Sequence, residues 1–409
     1  MNNILLITLS GPDRPGITAA VTDVLARYQG NILDIGQAVI HSTLSMGLLI
    51  ELPVGQSHDE LLGQLQIFAN DGDLVLNSRE ISVDSYAQWV NAQGRARFIV
   101  TLLARKITAR QVGCVSDVFA RHQLGIDGIT RLSGRIPLGE LPPQSKACVE
   151  FSVRGPLADE AMFRRDLLEL ASTLDVDLAL QRDGMYRRHR RLVAFDMDST
   201  LIEAEVIDEL AREAGVGEQV AAITEQAMRG ELDFSASFRA RVALLKGLPE
   251  SALEGIASRL RITEGAEHLI GTLRQLGYRT AILSGGFSYF AEKLQQKFGI
   301  DYVYANELDI YEGLVTGEVG ACIVDGERKA ELLRQIAARE GIDLQQVIAV
   351  GDGANDLPML SIAGLGVAFH AKPLVKQSAE QSISTLGLDA ILYLLGMSDR
   401  YLTTSTSDF

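Results

Sequence analysis

The chain has 409 residues, of which 47% are hydrophobic and 22% charged, and its formal net charge at pH 7 is −15. At roughly 150 residues per domain, this length predicts two to four domains, and the composition excludes a disordered or collagen-like chain. The acidic balance argues against nucleic acid or an anionic membrane as the main partner.

The three cysteines, Cys114, Cys148 and Cys322, are far apart and form no Cys-x-x-Cys pair. This pattern excludes a disulfide framework and a cysteine zinc site, and it favours a reducing, cytoplasmic location. No run approaches about 18 uninterrupted apolar residues, so we expect no membrane span. The first residues lack the basic region of a signal peptide, so we expect none.

Charge is distributed unevenly along the chain. Residues 1–94 contain 3 Lys and Arg against 10 Asp and Glu, which gives a net charge of −7. Residues 95–191 contain 17 against 11, a net charge of +6, and residues 192–409 contain 18 against 32, a net charge of −14. The change of sign predicts a domain boundary or an internal interface near the middle of the chain. We interpret the basic stretch at 183–191 as a solvated linker.

The first half contains an internal repeat with an offset of 94 residues. The segment Val21–Gly30 returns as Val115–Leu124 with six identical positions, and its apolar residues have helical spacing. Similar apolar runs surround each copy in the same order, which predicts a βαββαβ, ferredoxin-like unit twice. The predicted strands are Ile4–Leu9, Ile32–Ile40, Leu48–Leu52 and Asp73–Val83, then Phe98–Leu103, Ile126–Leu132, Ala147–Val153 and Asp175–Gln181. The predicted second helices are Asp59–Asn70 and Asp159–Leu174.

The loop Gly11–Thr18 lies between the first strand and the first helix. Glycine there leaves space and backbone N–H groups at a helix N-terminus, which suits a carboxylate. The two copies resemble ACT domains, which are small-molecule regulatory modules. The resemblance implies an effector site, for L-serine, that includes Asp13, Gly16 and Asn31. The second copy lacks the Asp-Arg-Pro-Gly sequence, so its site is expected to be lost. The alternative is that both copies serve only to hold a homodimer together.

The second half places polar motifs at the ends of predicted strands. An apolar run ends in Asp196 and Asp198, and later runs end in Ser284 and Asp352, while Lys329 opens a helix. Strands alternate with helical segments, which predicts an α/β, Rossmann-like parallel sheet with its ligands beyond the carboxyl ends of the strands. We therefore expect all these motifs in one crevice.

These residue types suit transfer of a phosphoryl group. Mg²⁺ prefers oxygen ligands, which Asp196 and Asp352 can supply, and a carboxylate can also be a covalent nucleophile. Ser284 can donate to a phosphoryl oxygen, and Lys329 can offset the charge of the crowded anions. The chain has no Gly-x-x-x-x-Gly-Lys-Ser/Thr loop, so it is not a P-loop nucleotide hydrolase.

The motif set resembles the phosphoserine phosphatase family of the haloacid dehalogenase superfamily, over about residues 190–395. The resemblance implies that Asp196 is the nucleophile and that Asp198 is the general acid and then the base. It implies that Mg²⁺ is held by Asp196, the backbone carbonyl of Asp198 and Asp352. It also implies that the phosphoryl group is bound by Ser284, Gly285 and Lys329. Support of the metal and the lysine is assigned to Asn355 and Asp356.

The segment 202–261 is mostly helical and too long for a plain connection, and it resembles the helical cap of this family. The resemblance assigns the substrate ammonium to Glu205 and the substrate carboxylate to Arg241, a bidentate pairing that lysine does not reproduce. It assigns exclusion of water to Met228 and Phe234. The alternative is that Glu205 and Arg241 are solvated helix charges and that the two apolar residues belong only to the core.

Together these patterns predict ACT-like domains at 1–85 and 95–182 and a phosphatase domain at 190–409. The function that the resemblance implies is Mg²⁺-dependent hydrolysis of O-phospho-L-serine, the last step of serine biosynthesis. Two alternatives remain at this point. One is a phosphotransferase that passes the phosphoryl group to another alcohol such as homoserine. The other is an amino-acid sensor without catalytic activity.

Overall fold

The computed structural model describes residues 3–92, 96–139, 142–320 and 322–402. Contacts between residues divide the chain into two units, 1–95 and 96–409. Within the described ranges, no helix is long and apolar enough to cross a membrane. All three cysteines are free thiols.

The first repeat forms a four-stranded antiparallel sheet in the order β2-β3-β1-β4. Its elements are β1 (Asn3–Pro12), α1 (Ile17–Arg27), β2 (Asn31–Ile40), β3 (Thr43–Leu52), α2 (His58–Asp71), β4 (Val75–Ile81) and a further helix, α3 (Val83–Asn91). Buried and more exposed residues alternate along β3, as expected when one face of a sheet is covered. β3 begins five residues earlier than predicted, because β1 extends to Pro12 and pairs it with Thr43.

The second repeat has the same strand order, β6-β7-β5-β8, so the predicted duplication is confirmed. Its elements are β5 (Arg97–Ala104), α4 (Ala109–Arg121), β6 (Gly125–Arg131), β7 (Ala147–Arg154), α5 (Glu160–Leu174) and β8 (Asp177–Arg182). Helix α4 begins at a capping box in which Thr108 and Gln111 satisfy each other's backbone N–H groups. This cap fixes the loop between β5 and α4.

The predicted parallel sheet is also confirmed, with six strands in the order β11-β10-β9-β14-β15-β16. The strands are β9 (Leu192–Phe195), β10 (Arg279–Phe287), β11 (Tyr302–Asn306), β14 (Val347–Gly351), β15 (Leu365–Phe369) and β16 (Gln381–Ile383). The helices around it are α10 (Ala266–Gln275), α11 (Ser288–Phe298), α12 (Gly326–Glu340), α13 (Leu357–Ile362), α14 (Pro373–Ser378), α15 (Ile391–Leu394) and α16 (Asp399–Leu402). All four residues of β9 are buried, as expected for the centre of a sheet covered on both faces.

The predicted cap consists of four helices and a hairpin. The helices are α6 (Val206–Glu213), α7 (Gly217–Met228), α8 (Phe234–Ala243) and α9 (Ser251–Arg259). The hairpin, β12 (Leu308–Tyr311) and β13 (Leu314–Val319), was not predicted. It joins the cap through a bridge between Pro249 and Leu314 and through the Gly247 N–H, which donates to the Val315 carbonyl.

The second repeat packs against the catalytic half. The side-chain amide of Gln381, on the edge strand β16, exchanges two hydrogen bonds with the backbone of Leu180 on β8. The carboxylate of Asp177 accepts from the backbone N–H groups of Ser384 and Thr385. These side-chain to backbone hydrogen bonds join the second repeat to the catalytic half.

The prediction of a solvated linker at 183–191 is wrong for two of its arginines. Arg187 is only 2% exposed, and its guanidinium pairs with Glu150 of β7. Arg190 is also buried and donates to the Gln345 carbonyl. Their burial depends on partners that are distant in sequence, so the local run of charges did not indicate it.

We expect Arg187→Ala to lower the free energy of unfolding by about 3 kcal/mol, because it leaves the Glu150 carboxylate unpaired in a mostly buried position. The exposed neighbour Arg188 is the matched control, and Arg188→Ala should change stability by less than about 0.5 kcal/mol. Urea unfolding followed by circular dichroism measures both variants. Equal midpoints for the two would contradict this account of Arg187.

Candidate active site

The predicted motifs meet at the carboxyl ends of the central strands. Asp196 directly follows β9, and Asp352 directly follows its neighbour β14. Carboxylate oxygens of Asp196, Asp352 and Asp356 all lie within 4.8 Å of one another. The parallel sheet is the cause of this grouping, since neighbouring parallel strands end at the same edge.

Lys329 lies at the centre of this acidic group. It is fully buried, and its Nζ lies 2.9 Å from Asp196 Oδ1 and 2.7 Å from Asp356 Oδ1. Asp325 caps α12 by accepting the Arg328 N–H, which fixes the first turn that carries Lys329. Burial opposes the charge of Lys329, but the two carboxylates outweigh it and raise its pKa. The ammonium is therefore permanent at any working pH.

The positive charge of one lysine does not balance the negative charges of three carboxylates. Burial, and then the neighbouring Asp356, raise the pKa of Asp196 to about 7. Burial, and then Asp196 and Asp356, raise the pKa of Asp352 to about 8. A compact set of oxygen donors with uncompensated negative charge is what a hard divalent cation such as Mg²⁺ prefers. The donor set thus fits a metal ion, with Asp356 as a third carboxylate beside the two predicted ones.

Asp198 has different surroundings from Asp196. Its Oδ1 accepts from the Val206 N–H at 3.2 Å, and its Oδ2 lies against Gly286, where a side chain would collide with it. Burial, and then Glu205 and Asp196, raise its pKa well above the usual range for aspartate. The raised pKa favours the protonated carboxyl group, which is the form that a general acid requires.

Ser284 and Gly285 lie near the carboxyl end of β10, where its register with β11 shifts. The Oγ of Ser284 accepts from the Gly286 N–H at 2.9 Å. Asn306, at the end of β11, donates through Nδ2 to the Gly285 carbonyl and accepts through Oδ1 from the Val324 N–H, both at 2.8 Å. Asn306 was not among the predicted site residues, although its place at the end of a strand in the parallel sheet was an available signal.

The described cap residues reach the same crevice. The ring of Phe234 lies so close to Gly285 that a Cβ there would be 2.8 Å from it. Phe234 stacks on Phe238 with centroids 6.0 Å apart, and Phe238 contacts Phe287 of β10 at 5.6 Å. Three aromatic rings therefore link the cap to the core. The side chain of Met228 lies outside the described part of the structure.

Glu205 directly precedes α6 and is exposed, whereas Arg241 of α8 is half-buried. Glu205 accepts from the Ser199 hydroxyl at 2.8 Å. Burial lowers the pKa of Arg241, while the charges of Glu205, Asp208 and Asp198 favour its protonated form. Arg241 Nε also donates to the Ser237 carbonyl at 3.3 Å, so this half-buried arginine is not a fully solvated helix charge. Asn355 is half-buried, and its carbonyl lies against Gly326 at the start of α12.

Comparison with known proteins agrees with this geometry. Residues 193–361 match the haloacid dehalogenase-like hydrolase family, and residues 3–77 match the ACT domain. The chain is 40% identical to the phosphoserine phosphatase of Streptomyces coelicolor over 96% of this chain and 92% of that protein. It belongs to the phosphoserine phosphatase family. Phosphoserine phosphatase SerB2 of Mycobacterium tuberculosis is 38% identical over 96% of this chain and 93% of that protein.

Two solved structures are similar to this chain in fold and in sequence. A haloacid dehalogenase family hydrolase from Salmonella enterica serovar Typhi has a TM-score of 0.63 at 32% identity and covers 73% of this chain and 98% of its own. A probable phosphoserine phosphatase from Vibrio cholerae has a TM-score of 0.58 at 32% identity, with coverage of 76% and 90%.

The predicted effector residues lie in the first repeat of this family member. Gly16 precedes α1 with a φ of 97°, a left-handed conformation that favours glycine. The Asp13 N–H donates to the Ser42 carbonyl at 2.8 Å. Asn31 begins β2, and its Nδ2 donates to Glu51 at 3.3 Å. These contacts fix the loop after β1 and the start of β2, and they leave the effector role a prediction.

The raised pKa values predict a pH-dependent response to Mg²⁺. In the ion-free protein the folded state holds protons on Asp196 and Asp352 more tightly than the unfolded chain does, so stability is lost as pH rises from about 4 to about 8. A bound cation offsets this loss. We expect Mg²⁺ to raise the melting temperature more at about pH 8.5 than at about pH 6, measured by differential scanning fluorimetry.

Two variants with the same change of charge, one in the acidic group and one outside it, test this prediction. Asp352→Asn should reduce the Mg²⁺ shift by about half, since one ligand and one titrating group are removed. Asp343→Asn should leave it unchanged, because Asp343 caps a turn before β14 and asparagine is an equally good cap. A shift of equal size at both pH values would show that the raised pKa values play no part.

Proposed function

We propose that the chain hydrolyses O-phospho-L-serine to L-serine and phosphate, with Mg²⁺, through a phosphoaspartyl intermediate, as the last step of serine biosynthesis. The observation that carries the proposal is the position of Asp196, which lies at the end of the central strand with its carboxylate 2.9 Å from the buried Lys329. The names of relatives that match nearly the whole chain support the substrate.

The reaction proceeds in two displacements. The Asp196 carboxylate attacks phosphorus, and the bond from phosphorus to the serine oxygen breaks while Asp198 gives that oxygen its proton. Asp198, now a carboxylate, takes a proton from water as the water attacks the phosphoaspartate, which releases phosphate and restores Asp196. The raised pKa of Asp198 supports the first role, and its loss of the proton prepares the second.

The substrate is held by groups from both the core and the cap. Ser284, Gly285 and Lys329 bind the phosphoryl oxygens, with the loop supported by Asn306. Glu205 pairs with the substrate ammonium and Arg241 with its carboxylate. Phe234, together with Met228, excludes water from the closed site.

The acidic group would hold the cation through Asp196, Asp352 and the backbone carbonyl of Asp198, with Asp356 and Asn355 in support. When bound, Mg²⁺ supplies positive charge that stabilises the charge on the transferring phosphoryl group. The pKa of Asp196, about 7 without a cation, explains why Lys329 alone does not keep the nucleophile fully ionised at neutral pH.

Phosphate release from O-phospho-L-serine tests the nucleophile. Asp196→Asn keeps the shape of the side chain but removes its nucleophilic oxygen, so the rate should fall by at least about 10³-fold. Asp343→Asn carries the same change of charge at the opposite end of β14 and should retain wild-type activity. Equal rates for Asp196→Asn and wild type would refute the assignment of the nucleophile.

Two rival functions are distinguished in the same assay. Addition of homoserine would yield a phosphorylated homoserine if the chain transferred the group to another alcohol. A sensor without catalytic activity would release no phosphate from any ester. The joint presence of Asp196, Asp198, Ser284, Lys329 and Asp352 in one crevice argues against the sensor.

For the first half of the chain, we propose that the ACT domain at 1–85 binds L-serine through Asp13, Gly16 and Asn31 and lowers activity. Its match to the ACT family supports this role. We propose the division into domains at 1–85, 95–182 and 190–409, association as a homodimer, and a cytoplasmic location in keeping with the free thiols of the described cysteines.

Serine sensitivity tests the regulatory proposal. A chain that begins at residue 96 retains the whole second unit, and we expect it to keep phosphatase activity but lose inhibition by L-serine. Asp13→Ala in the full chain should weaken inhibition as well. Serine inhibition of the same strength in the shortened chain would place the effect at the active site and overturn the proposal.

A further inference from the structure

The chain enters and leaves the cap through a short pair of segments, residues 201–203 and 261–263, which we call the cap hinge. Ile202 and Ile262 form an antiparallel bridge. The Glu203 N–H donates to the Arg261 carbonyl at 2.9 Å, and the Thr263 N–H donates to the Leu201 carbonyl at 3.1 Å. The four helices of the cap all lie between these segments, so any rotation of those helices acts on this pair.

Glu264 directly follows the cap hinge, and its backbone is held by the segment at Gly387 and Leu388. Its carbonyl accepts from the Leu388 N–H at 2.8 Å. The carbonyl also lies against Gly387, where a Cβ would approach it to 2.5 Å. Gly265, the next residue, has a φ of 80° and starts α10. The position of Glu264 therefore sets where the returning segment of the hinge begins.

The second repeat binds Glu264 directly. Both guanidinium nitrogens Nη1 and Nη2 of Arg105 donate to the two carboxylate oxygens of Glu264, at 2.9 and 2.8 Å. Each side chain is about one-third exposed. A bidentate pair fixes direction as well as distance, which a single surface contact does not. Close by, Lys146 of the second repeat pairs with Asp389, which also accepts from His268 of α10.

Arg105 occupies a position where the two repeats differ. By the 94-residue offset, Arg105 corresponds to Gly11. In the first repeat a Cβ at position 11 would lie 2.8 Å from the Asp73 carbonyl, so that repeat excludes a side chain there. In the first repeat this loop is a proposed ligand site. In the second repeat the same loop carries an arginine side chain that binds the catalytic half.

We propose that Arg105 and Glu264 are positioning residues for the proposed reaction, and that they hold the cap hinge at the angle that brings Glu205 and Arg241 over the substrate. The second repeat then acts as a fixed support of the cap rather than as a second sensor. This inference rests on the proposed function for its kinetic readout, but not for its structural one.

Hydrogen exchange in the full chain, without substrate, tests the support of the hinge. Arg105→Ala and Glu264→Ala should each speed exchange at the amides of Glu203 and Thr263 by about three- to tenfold. Arg164→Ala is the matched control, because Arg164 also crosses from the second repeat, but to the Glu380 carbonyl and not to the hinge. Unchanged exchange in the first two variants, or equally faster exchange in all three, would overturn the proposal.

Phosphoserine kinetics supplies the second readout. Arg105→Ala should lower kcat/KM by about three- to tenfold. The double variant Arg105→Ala/Glu264→Ala should lose no more kcat/KM than either single variant. The charge swap Arg105→Glu/Glu264→Arg should recover activity. Additive losses, or no loss, would refute a joint positioning role. Failure of the proposed function appears differently, since the wild-type chain would then release no phosphate from phosphoserine while the exchange result stood.

Discussion

The ion pairs of Lys329 are the interaction on which the rest of the site depends. A buried ammonium 2.9 Å from Asp196 and 2.7 Å from Asp356 ties α12 to the ends of β9 and the loop after β14. Removal of the lysine would leave several carboxylates buried without a cation, which costs far more than the pairs contribute by themselves. The same lysine is not sufficient, because the pKa values of Asp196 and Asp352 stay high beside it. The site thus holds uncompensated negative charge that suits a bound divalent cation.

Much of this arrangement could be predicted because parallel strands end together. Asp196, Ser284 and Asp352 each follow an apolar run, so strand order alone was sufficient to bring them to one edge. The duplicated βαββαβ unit was equally accessible, since it depends on local periodicity and on a repeat visible in the sequence. In both cases the information lies within a few residues of the feature.

What was missed depends on distant partners. Asn306 ends a strand of the parallel sheet, but its two hydrogen bonds are to the Gly285 carbonyl and the Val324 N–H, which are distant in the chain. Arg187 looks like a solvated charge until Glu150, 37 residues away in the chain, is seen to face it. The hairpin at 308–319 has short strands, and its bridge from Leu314 to Pro249 of the cap joins residues that are distant in the chain. The acid Asp356 was expected only in support, yet its carboxylate lies with the other two.

The contact between Gln381 and Leu180 has a consequence for solubility. β16 is the last strand of the catalytic sheet, and an uncovered edge offers unpaired backbone groups to any other chain. Here a side-chain amide, which carries one donor and one acceptor like a peptide group, joins that strand to β8 of the second repeat. The repeat therefore shields the sheet edge as well as contacting the cap hinge. A catalytic half cut away from it would keep every residue of the active site and still present a strand open to edge-to-edge aggregation.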